Sequence, residues 1–163
     1  MQIPLSGLEK GPRVHQCRAS ANEYLVNNEN FAGEISLRAV VHKEGGLLRI
    51  DLTADLPGTF ICDRCGCVFN RRHHAQNDFY FSFGGKSAVR NDPDITEIPP
   101  GAVELDISQE IRDLVILSLP YQLFCRENCR GLCAGCGANL NEEECRCESA
   151  EINPRWGVLK RLR

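Results

Sequence analysis

Cys62-Asp63-Arg64-Cys65-Gly66 sets two thiols two residues apart and follows them with a glycine. That spacing lets both sulfurs reach one tetrahedral ion, and the glycine permits the tight turn after the second ligand. Cys133-Ala134-Gly135-Cys136-Gly137 repeats the form, and two more close pairs, Cys125/Cys129 and Cys145/Cys147, flank it. Four pairs supply eight sulfurs and structural zinc takes four, so the arithmetic predicts two structural Zn2+. In one arrangement Cys62 and Cys65 join Cys125 and Cys129, while Cys133, Cys136, Cys145 and Cys147 close a local site. In the other, Cys125 and Cys129 serve the second knuckle. Spacing leaves both open. Cys17 and Cys67 are left over. Cys67, two positions past a ligand, is placed to compete for metal, and Cys17 reads as an inert buried thiol.

Other chemistries find little support. Catalytic zinc keeps a position for water and usually draws on His or carboxylate ligands. The chain has four histidines, none at a ligand spacing with a carboxylate. His73 and His74 follow Arg71 and Arg72 on an expected strand, where alternation sends the two rings to opposite faces. No βαβ pattern surrounds either CxxC, as a redox motif would need. Ser-His-Asp catalysis, a P-loop and a dinucleotide fingerprint have no candidate residues. The expectation is a protein that is not an enzyme and has no small-molecule substrate.

Ten cysteines are many for a chain whose first residues show no basic n-region and no apolar h-region. Paired thiols in a cytoplasmic, reducing setting are more often metal ligands than disulfides. The longest apolar run, around 114–119, is about a third of the roughly 20 residues a membrane helix needs, so no membrane association is expected.

Charge narrows the partners. There are 19 basic and 22 acidic residues, a net charge of −3, which is not the balance of a nucleic-acid-coating polycation. Eight thiolates and two Zn2+ would take it to about −7. Such a protein is steered toward basic partners. The stretch from Asp92 to Asp113 is a further acidic segment whose only base is Arg112. RNA contact would be local, through Arg71 and Arg72 or through the tail residues Arg155, Trp156, Lys160, Arg161 and Arg163. Arg64, Arg126, Arg130 and Arg146 each neighbour a ligand cysteine, either as solvated side chains or as offsets to the sulfur charge.

The elements that must position these groups follow from periodicity. Ser20 to Val26 reads as a short helix with a capping box to Glu23. Ile35, Leu37, Ala39 and Val41, then Leu48, Ile50, Leu52, Ala54 and Leu56, alternate with polar residues around Gly45-Gly46, the signature of a long hairpin with one buried face. Pro57-Gly58 is expected to turn the chain and Thr59 to begin another strand. Phe79, Phe81 and Phe83 mark a further strand. Residues 84–101 read as a long surface loop. A helix over 105–119, capped by Asp106 and ended by Pro120, packs on the sheet. Asn153-Pro154 opens a short basic helix. The expected fold is α+β: an antiparallel β-barrel-like or curved sheet with a packing helix, a Cys-rich zinc-binding segment and a short C-terminal helix. The expected division is 1–121, 122–150 and 151–163.

Several stretches together resemble the YceD family, the large ribosomal RNA subunit accumulation proteins of bacteria and plastids. They are Cys62-Asp63-Arg64-Cys65, the helix end Val115 to Pro120, the run from Cys125 to Asn141, and Asn153-Pro154-Arg155-Trp156 with its Leu-Lys tail. The resemblance covers most of the chain in order and is weak before residue 34. It implies a non-enzymatic ribosome biogenesis factor supporting accumulation of large-subunit (23S) ribosomal RNA. It also implies a partner, a small basic zinc-ribbon protein of the large ribosomal subunit, with pre-ribosomal RNA as a second candidate. Two other classes fit the residues less closely: a zinc-ribbon nucleic-acid-binding regulator and an rRNA-processing metalloenzyme.

Overall fold

The computed structural model describes residues 1–8, 11–25, 28–83 and 94–147. The expected basic helix after Asn153, with Arg155, Trp156, Lys160, Arg161 and Arg163, lies outside them. In chain order the elements are β1 (Gln2–Pro4), β2 (Arg13–Ser20), α1 (Ala21–Tyr24), β3 (Glu34–Glu44), β4 (Leu47–Ile61), β5 (Val68–Phe83), β6 (Ile95–Ile98), β7 (Glu104–Asp106) and α2 (Ser108–Leu117). They form two units. One holds Met1–Phe60 and Phe69–Tyr121; the other holds Ile61–Val68 and the described residues from Gln122 onward.

The first unit is built on a five-stranded sheet of order β2-β3-β4-β5-β6. The hairpin read from alternation is its centre. Glu44 pairs with Leu47 and Ser36 with Asp55, so Gly45-Gly46 is a two-residue turn. Gly45 has φ +62°, a conformation that side chains with a Cβ disfavour. Ile35, Ala39, Val41, Leu48, Leu52, Ala54 and Leu56 are fully buried. Each large aliphatic chain here contributes about 1.5–3 kcal/mol by leaving water. From α2, Ile111, Leu114 and Val115 are buried as well.

Several expectations need correction. Of the two forms expected, barrel-like or curved sheet, the barrel is excluded, because the sheet is open with β2 and β6 as its two edges. It is also mixed, because β6 runs parallel to β5, with Tyr80 opposite Ile95 and Phe83 opposite Ile98. β6 falls inside the expected 84–101 loop. Four residues before Pro99-Pro100 are too few to show a period, and the strand exists because β5 offers it an edge. Pro57-Gly58 does not turn the chain, since β4 runs through it to Ile61. Pairing with β3 ends at Asp55, beyond which, among the described residues, Phe31 bridges Gly58, so Pro57's missing N–H removes no bond from the β3 ladder. Gly58 is required there because a Cβ would stand 2.4 Å from the Phe60 ring.

The helix expected over 105–119 covers only Ser108–Leu117, and Glu104–Asp106 pairs with β1 instead. The formal N-cap is Ile107. Asp106 still serves the helix start: its Oδ1 accepts from the Ser108 N–H at 3.1 Å and the Ser108 hydroxyl at 2.6 Å. The Met1 ammonium donates to Ser108 Oγ at 2.9 Å. These Ser108 hydrogen bonds, then the ammonium, hold the Asp106 carboxyl below the usual carboxylate range. α1 is a single turn, and Ser20 makes no side-chain cap bond to it. Cys17 is half-buried, its Sγ 3.8 Å from the Met1 sulfur.

Candidate metal centres

All eight pair-forming cysteines lie in the second unit. The two knuckles fold alike. The Gly66 N–H donates to the Cys62 carbonyl at 2.8 Å and the Gly137 N–H to the Cys133 carbonyl at 2.9 Å. The Cys62 N–H donates to the Cys67 carbonyl at 2.9 Å and the Cys133 N–H to the Ala138 carbonyl at 2.8 Å. Both turns end on a glycine in the left-handed region, Gly66 at φ +71° and Gly137 at φ +74°. Each CxxC thus makes the same closed turn.

Cys62, Cys65, Cys125 and Cys129 bring their sulfurs within 4.8 Å of one another. Cys62 and Cys129 are 3.8 Å apart, as are Cys65 and Cys125. A tetrahedral ion with metal–sulfur bonds of about 2.3 Å needs sulfur–sulfur edges of about 3.8 Å. Cys133, Cys136, Cys145 and Cys147 form the second group, with Cys133 lying 3.3 Å from Cys145 and 3.7 Å from Cys147. The donor sets fit a metal ion in both places. Cys125 and Cys129 stand with Cys62 and Cys65, not with the second knuckle.

The residues between the thiols explain that grouping. The Asp63 N–H donates to the Leu123 carbonyl at 2.8 Å, and its carboxylate accepts from the Leu123 N–H. Arg64 lies over the Phe124 ring, 4.0 Å from its centroid, and donates to the Cys129 carbonyl at 3.2 Å. The Leu132 N–H closes on the Arg64 carbonyl at 3.0 Å. Gly131 permits this approach, since a Cβ there would come 3.0 Å from that carbonyl oxygen. Asp63 and Arg64 therefore tie the first knuckle to the 123–132 stretch. Neither role is legible in the sequence, where Asp63 carries no signal and Arg64 reads as a solvated or charge-offsetting side chain. Arg146 pairs with Glu143.

The electrostatics of the two groups ask for a cation. Burial pushes the Cys62 thiol up, but hydrogen bonds from the backbone of Cys125, Cys65 and Arg64 outweigh it and bring it to about 6. Backbone hydrogen bonds from Cys136 and Gly135 bring Cys133 to about 6. Hydrogen bonding with the Cys145 and Cys133 thiols pushes Cys147 up to about 12. Burial, then the neighbouring Cys67 and Cys129 thiols, raise Cys125 to about 11. Crowded thiols cannot all ionise alone; a divalent cation releases all four protons.

Asn141 is a site residue that the sequence reading missed. Its Nδ2 donates to the Cys129 sulfur at 3.4 Å, and its Oδ1 accepts from the Arg130 N–H at 2.9 Å. Burial raises the Cys129 thiol, but the hydrogen bonds from Asn141 and Gly131 bring it below its ordinary value. Arg71 and Arg72 sit exposed on β5, with Arg71 5.1 Å from the centroid of the Phe69 ring. They take no part in either cysteine group.

Known proteins supply the context. The family model described as "Large ribosomal RNA subunit accumulation protein YceD" matches residues 50–163. A "Large ribosomal RNA subunit accumulation protein YCED homolog 1, chloroplastic" from Arabidopsis thaliana is 43% identical over 70 residues, 43% of this chain and 22% of that protein. The protein of the same name from Zea mays is 38% identical over 89 residues, 47% of this chain and 30% of its own. The chain thus spans less than a third of either plant relative. An uncharacterized protein of Mycobacterium tuberculosis is 29% identical over 147 residues, 90% of this chain and 69% of that one. No solved structure matches the chain. The family match takes in both knuckles, both groups of four sulfurs and Asn141, and by it the chain belongs to the YceD family.

Proposed function

We propose that this chain is a non-enzymatic factor in large-subunit ribosomal RNA accumulation, a binding module stapled by two structural zinc ions. The observation that carries the reading is the pair of complete four-sulfur groups in a chain of this family. Four thiolates at tetrahedral spacing suit Zn2+, and a site with four protein ligands leaves no position for a reacting water, as structural rather than catalytic sites do. Ten free thiols suit a reducing compartment, cytoplasmic or, as in the names of the plant relatives, chloroplastic.

The partner we assign is a small basic protein of the large ribosomal subunit, of the zinc-ribbon kind, with pre-ribosomal RNA as the competitor that releases it. The support is charge: −3 before metal, about −7 with both sites filled, and an acidic segment that includes Glu97 and Glu104, both exposed. An electrostatic complex weakens in salt and yields to a polyanion. The test is calorimetric titration of the purified pair at low and moderate salt. The wild type is compared with a variant carrying Asp92→Asn, Asp94→Asn and Glu97→Gln, and with a chain lacking 155–163. Binding that weakens with salt, weakens further in the acidic-segment variant and is reversed by added ribosomal RNA is expected. No binding at low salt would end the reading.

A further inference from the structure

The first centre has a fifth sulfur. Because the two knuckles share their hydrogen bonds, Cys67 occupies the place that Ala138 holds in the second. Its Sγ lies 3.3 Å from the Cys65 sulfur, and it lines the same cavity as Cys125. It stands outside the group of four.

The five sulfurs divide by access. Cys62 and Cys129 are buried, at 2% and 5% exposure. Cys125 and Cys67 are only half-buried, and with Cys65 they line a cavity of about 310 Å³. A ligand on the open side can swing away from the ion and find water; one on the closed side cannot.

We propose that Cys67 is an alternate ligand of the first metal centre, exchanging places with Cys125. The inference rests on the metal reading above and adds a residue to it. With a divalent cation bound, the Cys67 thiolate would take the coordination place of the Cys125 thiolate, and the proton that the entering sulfur gives up would be balanced by the one the leaving sulfur takes from water. Four thiolates hold the cation before and after, so charge and coordination number are unchanged. Ala138 makes the same exchange impossible at the second centre, which has four sulfurs and no spare.

The experiment uses the full chain in reducing buffer, with Zn2+ affinity measured by chelator competition and Co2+ as the spectroscopic probe. Far-UV circular dichroism of each variant, together with retention of the second ion, serves as the folding control. Cys125→Ser is expected to hold its first ion within about threefold of wild type, with undiminished thiolate-to-cobalt charge transfer. Cys125→Ser combined with Cys67→Ala is expected to lose about 100-fold, with the absorbance falling by one thiolate's share. Cys62→Ser, on the closed side, is expected to lose its ion whether or not Cys67 is present. If Cys125→Ser is as defective as the double variant, Cys67 is no ligand and the proposal is overturned. A wild-type chain with no ion at the first centre would remove both this proposal and the metal reading, which separates the two failures.

Discussion

The Asn141 side-chain amide donates to the sulfur of Cys129 at 3.4 Å, so a residue that follows the second knuckle tunes a thiolate of the first group. Sulfur ligands are oriented and stabilised by such outer hydrogen bonds, and their loss typically costs 10–100-fold in metal affinity. Asn141→Leu is therefore expected to weaken the first centre by about 10–100-fold while the second keeps its ion. Zinc competition on the variant, read beside the wild type, checks this; an equal loss at both centres would mean that Asn141 acts on the fold instead.

Gly135 gives a prediction in the opposite sense. A Cβ there would stand 2.5 Å from the Cys147 sulfur, a separation that requires something to shift. Gly135→Ala is expected to cost the second centre its ion, although no ligand has been changed, and to spare the first. Native mass spectrometry should find one metal per chain in this variant.

The sulfur grouping was legible because it depends on local spacing: CxxC turns close on themselves, and Cys133 to Cys147 is a short loop. The choice between Cys125/Cys129 partners was not, because it is made by Asp63 and Arg64 through contacts with Leu123, Phe124 and Cys129 far along the chain. The hairpin was legible for the same reason as the knuckles, a period of two over many residues. β6 and β7 were not, since three or four residues carry no period and each exists by pairing with a distant strand. Pro57-Gly58 misled because a turn signal reads as a turn unless the missing neighbour on that side of the strand is known.

Asp106 predicts a pH dependence. Its carboxyl is held below the usual range, first by Ser108, so the folded chain binds fewer protons there than the unfolded chain. The stabilisation is present above the unfolded carboxylate value of about 3.9 and is lost as pH falls through the folded one. Asp106→Ala, which removes the acceptor of two Ser108 hydrogen bonds, should cost about 1 kcal/mol at pH 7, and the gap to wild type should close in strong acid. Urea unfolding of both chains at pH 7 and at a series of pH values down into strong acid measures it; a gap that does not narrow as pH falls below the unfolded carboxylate value would assign the effect to packing.

Two separate centres of four thiolates each are tested most directly by elemental analysis of the purified chain with two single-site variants. The prediction is about two zinc ions per wild-type chain and about one in both Cys62→Ser and Cys136→Ser, with the sheet of the first unit intact by far-UV circular dichroism in the latter. A well-folded, metal-free wild-type chain with its cysteines in disulfides would contradict it.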